Sequence, residues 1–135
     1  MKKLVLAAAV VAVPAFAQGF ELKGDAAKGE GTYKSMCASC HGEKGDGAGA
    51  AAAALNPKPT NFTDPANADR LTPEYVYNVT KNGGASVGKS PLMVAWSGSL
   101  KDDQLRDVAA YVLKFKPAKP EAKDEAKPTK GGKKK

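Results

Sequence analysis

Cys37-Ala38-Ser39-Cys40-His41 restricts what this chain can fold into more than any other five residues in it. Cys-x-x-Cys-His is the attachment pattern for c-type haem. Two thiols three positions apart fall on one helical turn, within reach of the two vinyl groups of a single porphyrin, where they form thioethers. The imidazole follows at once and projects onto the iron from the same face. The fold must therefore accommodate one large flat group tethered to one turn of helix. One covalent haem c is the expected cofactor, with Cys37 and Cys40 as thioether donors and His41 as an iron ligand.

Rival readings of a Cys-x-x-Cys pair ask for features this chain lacks. Structural zinc takes four ligands, and the chain offers two cysteines and one histidine, crowded into these five positions. A redox dithiol is expected within a βαβ pattern, whereas the residues before Cys37 read as helix and those after His41 are glycine-rich. An exported protein with two cysteines ordinarily suggests a disulfide; the adjacent histidine favours thioethers instead.

The 135 residues allow one small domain. Residues 1–17 read as a secretory signal peptide: Lys2 and Lys3 precede an apolar run from Leu4 to Val13, and Ala15-Phe16-Ala17 supplies a small-x-small cleavage site. The apolar run is well short of the roughly 20 residues that span a bilayer, so no transmembrane segment is expected after cleavage. No cysteine near that site provides a lipoprotein thiol. Export to the periplasm agrees with haem c, because bacteria attach it covalently on the far side of the membrane.

Residues 116–135 are almost wholly Lys, Ala, Pro, Glu and Gly, with no aromatic or branched apolar side chain. Such a segment buries too little surface to offset its ordering entropy and is expected to be disordered. The folded domain is then 18–115, small enough that a buried porphyrin would supplement its thin core. That domain holds eleven Lys or Arg and eleven Asp or Glu, whereas the tail has eight Lys against Glu121, Asp124 and Glu125. The basic character of the mature chain thus belongs to its tail, which suits solubility or a weakly bound acidic partner. Nucleic acid is not expected for an exported protein.

Periodicity predicts an all-α domain. A first helix starts at the N-cap Asp25, passes Glu30, Tyr33 and Met36, and carries the cysteines at its end. Gly29 and Gly31 inside it each cost about 1 kcal/mol relative to alanine, a cost that close packing of another helix would offset. Gly42 to Gly49 reads as an irregular loop, Ala50 to Ala54 as a short helical turn, and Asn56-Pro57-Lys58-Pro59 as extended. A second helix runs from the N-cap Thr72 and Pro73 to Asn82-Gly83, with Tyr75, Val76 and Val79 as its apolar stripe. A third begins between Ser99 and Asp102 and ends at Lys116-Pro117, with Leu105, Val108, Ala109, Val112 and Phe115 at helical spacing beside Tyr111.

Gly83-Gly84-Ala85-Ser86-Val87-Gly88-Lys89-Ser90 matches the Gly-x-x-x-x-Gly-Lys-Ser phosphate loop letter for letter. That loop works between a strand and a helix whose amides point at phosphate. Here it follows a helix, and Pro91 lacks an amide where one is needed. It reads as a flexible glycine-rich connection.

A second axial ligand follows by elimination. His41 is the single histidine, which removes bis-histidine coordination within one chain. Methionine is the alternative suited to electron transfer. Met1 leaves with the leader, and Met36 is beside Cys37 on the helix already committed to the histidine side. Met93 remains, beyond Pro91, as the expected second iron ligand.

Across about residues 24–115 the chain resembles the mono-haem class I cytochromes c of bacteria. Gly24-Asp25-Ala26-Ala27-Lys28-Gly29 leading to the haem motif is similar to that family's N-terminal helix. Ser90-Pro91-Leu92-Met93-Val94-Ala95-Trp96 resembles its methionine loop, and Leu105-Arg106-Asp107-Val108-Ala109-Ala110-Tyr111-Val112 its C-terminal helix. The resemblance implies a small cytochrome c-like fold, three main helices and loops around one haem. It implies that the first and last helices cross, Gly29 and Tyr33 meeting Val108 and Tyr111, and that Trp96 packs beside the haem near a propionate. One feature departs from the family. Its frequent proline after the haem histidine, whose carbonyl accepts from Nδ1–H, is Ala50 here; Pro57 and Pro59 are the next prolines, and the acceptor is open.

These readings describe an electron-transfer protein, not an enzyme: a monomer with no catalytic residues, passing one electron between redox partners that are acidic or membrane-bound. Two alternatives stay open. One is a haem module of a larger oxidase or reductase. The other is a haem enzyme or ligand-binding protein, which requires a displaceable Met93 and a distal acid or base, for which Arg70 and Arg106 are the only arginines.

Overall fold

The computed structural model describes residues 19–118. The expected leader, Gln18 and the tail from residue 119 onward lie outside the described residues. Four helical segments organise the rest: α1 (Ala26–Thr32), α2 (Ala38–His41), α3 (Pro73–Asn82) and α4 (Asp102–Leu113). A single π-helical turn, Tyr33–Cys37, joins α1 to α2 without a break, so three main helices result. Short 3₁₀ turns at Ala52–Ala54, Pro65–Asn67 and Gly84–Val87 punctuate the connections, and there is no strand among the described residues. The all-α expectation holds.

Helix α1 starts where Asp25 accepts from the Ala27 amide at 2.9 Å. The Asp25 amide donates to the Asp107 carboxylate at 2.6 Å, which ties the start of α1 to α4. These helices form the most extensive contact between elements. A Cβ on Gly29 would lie inside van der Waals contact of the Asp107 carbonyl and 2.8 Å from the Val108 amide nitrogen. The crossing is backbone on backbone, and only glycine permits it. Beside it, the rings of Tyr33 and Tyr111 pack with centroids 5.2 Å apart. Gly31 departs from expectation, since a Cβ there would meet nothing within 4 Å. Packing does not offset its helix penalty. Its carbonyl instead accepts from the Ser35 hydroxyl at 2.9 Å, at the entry to the π turn, a side-chain bond of the kind that bends helices.

Helix α3 has two buried faces where the sequence suggests one stripe. Val76, Tyr77 and Thr80 are buried, while Tyr75 and Val79 are half-buried. Tyr77 escapes a purely apolar reading because its hydroxyl, which donates to Asp102, gives the buried ring a polar outlet. Leu105, Val108, Ala109, Tyr111 and Val112 form the buried face of α4. This helix stops at Leu113, short of the expected Lys116-Pro117. Its last amides tighten instead onto carbonyls three residues back, from Lys114, Phe115 and Lys116 at 3.0, 3.1 and 3.2 Å. Pro117 disfavours helical backbone in the residue before it, so the chain tightens and leaves. Phe115 still packs on Tyr33, with centroids 5.2 Å apart, and Lys116 donates to the Leu71 carbonyl at 2.9 Å.

Candidate functional site

Cys37, Cys40, His41 and Met93, brought from opposite ends of the domain, line one cavity of about 310 Å³, on the scale of cofactor pockets. Leu71, Tyr75, Val76 and Val79 wall it from one side, and Val108 and Val112 from α4. The half-buried face of α3 is therefore the face turned to the cavity, which is why its residues look incompletely packed.

The His41 ring is held from two directions. Its Nδ1 lies 3.2 Å from the Thr60 carbonyl. A carbonyl only accepts, so this contact places the proton on Nδ1 and leaves Nε2 with the free lone pair. The Phe62 ring stacks on the imidazole at 4.6 Å between centroids and 15° between planes. Burial lowers the His41 pKa, against the opposing pull of the Thr60 carbonyl, and so favours the neutral, ligating form. Thr60 is the acceptor that the sequence left open. Its one signal is its place directly after Pro59, in the segment where the two prolines occur; nothing in the sequence pointed to Phe62.

The setting of the Cys37 thiol is not that of a redox dithiol. Burial first, and Cys40 second, push the Cys37 thiol up to about 11, whereas reactive cysteines have depressed values. Cys37 and Cys40 are both free of disulfide. Among the described residues no group of three or more His, Cys, Asp or Glu is placed to hold a metal ion.

Met36 is 38% exposed and does not line the main cavity; with Trp96 it borders a side cavity of about 50 Å³ that also touches Cys37, Cys40, His41 and Met93. Trp96 accordingly sits at the edge of the site, not on the wall of the main cavity. Neither arginine lines the cavity. Arg106 is engaged on the outer side of α4, its Nε donating to Asp102 at 2.7 Å and its guanidinium 4.9 Å from the Tyr77 ring centroid.

The phosphate-loop lookalike is closed against phosphate. Its amides donate within the chain: Gly84 to the Met93 carbonyl at 2.7 Å, Ser86 to Gly83 at 3.3 Å, Gly88 to Ala85 at 3.2 Å and Lys89 to Gly84 at 2.8 Å. A phosphate cradle needs such amides free.

The residues fit a haem: two thiols on one turn, an imidazole with Nε2 free, a thioether on the same cavity, and apolar walls. The family model described as cytochrome c oxidase, cbb3-type, subunit III matches residues 24–112. No curated protein matches the chain. Among solved structures, a chain of the reducing HAO-like protein complex of Kuenenia stuttgartiensis is similar, with 31% identity and a TM-score of 0.58. The match covers 70% of this chain and 44% of that one, so this chain spans less than half of its neighbour's length. The family match takes in both cysteines, His41, Met93 and the main helices up to Val112 of α4; the protein belongs to the family described as cytochrome c oxidase, cbb3-type, subunit III, a c-type cytochrome family.

Proposed function

We propose that the protein carries one haem c, attached through Cys37 and Cys40 and ligated by His41 and Met93, and passes single electrons between partner proteins outside the cytoplasm. The observation that carries this reading is the convergence of these four side chains on one apolar cavity. When bound, haem supplies a one-electron ferric–ferrous couple, whose potential methionine ligation raises. The chain's own groups do the remaining work. Thr60 holds the Nδ1 proton, which fixes the tautomer and strengthens Nε2 as a donor. Phe62 restrains the ring, and the walls from α3 and α4 keep water from the site. Leu92 and Val94, 65% and 52% exposed beside Met93, form an apolar rim of the kind that suits brief redox docking, an association at the small end of interface sizes.

Periplasmic location follows from the leader-like residues 1–17 and agrees with the extracytoplasmic setting typical of cytochrome c domains; no described helix is long and apolar enough to cross a membrane. The Lys-rich stretch after residue 118 suits an acidic or membrane-bound partner. A second reading, a haem module within a larger assembly, is favoured by the similar chain, which belongs to a protein complex and is more than twice as long as the stretch matched.

Expression in a host able to mature cytochromes c tests the proposal. The purified protein should keep its haem through denaturing electrophoresis, show one haem per chain by the pyridine haemochrome, and display the weak near-infrared band of methionine sulfur on ferric haem. Met93→Ala should abolish the band, lower the potential and admit carbon monoxide to the ferrous protein. Haem lost on denaturation would overturn covalent attachment, and a band that survives Met93→Ala would overturn the ligand assignment.

A further inference from the structure

We infer that the glycine-rich segment after α3 is a clasp that seats Met93, with Gly84 as its positioning residue; the inference rests on the reading of Met93 as the second iron ligand. The methionine loop has little apolar anchorage of its own, because Leu92 and Val94 on either side of Met93 are exposed. Its position is set by backbone bonds to the C-terminal end of α3. Gly84 uses both of its peptide groups there: its amide donates to the Met93 carbonyl at 2.7 Å, and its carbonyl accepts from the Lys89 amide at 2.8 Å. The loop is closed further by the Met93 amide on the Ser90 carbonyl at 3.2 Å and the Leu92 amide on the Ser90 hydroxyl, also at 3.2 Å. Beyond Met93, the Trp96 and Ser97 amides return to the Thr80 and Lys81 carbonyls at 3.1 and 3.3 Å. Met93 is thus held between the last turn of α3 and the short turn that follows it.

Glycine is required where these strands of chain meet. A Cβ on Gly84 would lie 3.1 Å from the Met93 Cβ and inside van der Waals contact of the Ser90 carbonyl. A Cβ on Gly83 would lie 2.9 Å from both the Met93 carbonyl oxygen and the Ala95 amide nitrogen. Gly84 has no left-handed backbone to protect, so replacing it by alanine adds volume against the ligand loop and nothing else. The letters that mimic a phosphate loop are explained by this contact. Gly83 and Gly84 admit the backbone of Met93, the Gly84 amide is spent on it, and the Ser86, Gly88 and Lys89 amides are spent within the segment.

The test compares Gly84→Ala with Met93→Ala, Gly31→Ala and wild type in the haem-loaded protein. Gly84→Ala should keep covalent haem and helix content, yet lose most of the methionine–iron band, admit carbon monoxide and show a potential between wild type and Met93→Ala. Gly31→Ala, with nothing near its added methyl, should match wild type in all three. A merely structural glycine would lower the melting temperature and leave the band and potential unmoved. If Gly84→Ala fails to fold, Ser90→Ala serves in its place; it removes one acceptor from the same loop and should speed carbon monoxide binding by about two- to tenfold. Wild-type band, potential and carbon monoxide exclusion in the glycine variant, or an unchanged rate in the serine variant, would overturn the clasp while leaving the Met93 reading intact. A band that survives Met93→Ala would remove the reading, and the clasp with it.

Discussion

The two sides of the cavity are built by different means. The His41 side stands on helix packing: α1 and α2 carry Cys37, Cys40 and His41, α1 lies backbone to backbone on α4, and Tyr33 is fully buried with its hydroxyl donating to the Gly42 carbonyl at 2.7 Å. The Met93 side is a chain of turns, held by backbone hydrogen bonds to the end of α3 and flanked by exposed apolar residues. Core packing is shared among many contacts and resists local change, whereas a loop on a few exposed bonds opens at lower free energy. The His41 side should therefore set global stability, and the Met93 side, on the proposed ligation, the tuning and exchange of the iron's second ligand.

The largest effect expected is at the helix crossing. Gly29→Ala relieves a helix penalty of about 1 kcal/mol but drives a methyl into the Asp107 backbone, and overpacking against rigid atoms costs about 1–3 kcal/mol or more. Gly31→Ala relieves the same penalty with open space around it. Thermal melts should move in opposite directions, down for Gly29→Ala and up for Gly31→Ala, by roughly 4–8 °C per kcal/mol in a domain of this size. Two upward shifts would show that the frame of the cavity is loosely packed, and the contrast between its two sides would collapse.

A smaller effect separates the sides directly. Tyr33→Phe removes one of two donors to the buried Gly42 carbonyl, which keeps the Gly45 amide at 3.1 Å; the loss is about 0.5–1.5 kcal/mol and should lower the melt with the methionine–iron band unchanged. Leu92→Ser and Val94→Ser, on exposed positions, should stay within about 0.5 kcal/mol of wild type. They should, however, slow electron transfer to any partner that docks on the apolar rim. Equal destabilisation by all three would mean that the loop is part of the core after all.

This contrast also marks what the sequence could reveal. Elements on the helical side were legible because their signals are local: Asp25 and Thr72 as caps, Pro73 at the first helical position, and the spacing of Leu105, Val108, Ala109 and Val112. The cost of Gly29 even pointed to the crossing. Gly31 read the same way and is not packed, since sequence records the penalty of a glycine and not its surroundings. Thr60 as the partner of His41 was not legible, because a backbone carbonyl carries no side-chain signature and any residue in the Pro57–Asn61 stretch supplies one. Tyr77 failed for a related reason. Its burial depends on Asp102, 25 positions away. The role of Gly84 was hidden in a motif whose letters point to phosphate and whose Gly84, Ser86, Gly88 and Lys89 amides, once folded, donate within the chain.

The smallest effect concerns pH and the outer seam between α3 and α4. The Tyr77 hydroxyl first, and Arg106 second, hold the Asp102 carboxyl down at about 2. A carboxylate depressed on folding stabilises the folded state above its unfolded pKa of about 3.9, and that contribution disappears as pH falls through the folded value. The wild-type melt should thus fall more steeply between about pH 4 and pH 2 than that of Asp102→Asn, which keeps an acceptor for Tyr77 but has no charge to lose. Asp102 is more than half exposed, with its side chain at 53%, so water screens the pairing and the difference in slope should be modest. The seam lies outside the cavity lining, yet α3 also supplies the Thr80 and Lys81 carbonyls that receive the methionine loop. Melts and the methionine–iron band should be followed together across this range. A band that fades with the wild-type melt, but not in Asp102→Asn, would show the loop to be coupled to the helical frame through α3. A band steady in both, over a melt that differs, is the outcome expected of two sides held by separate forces.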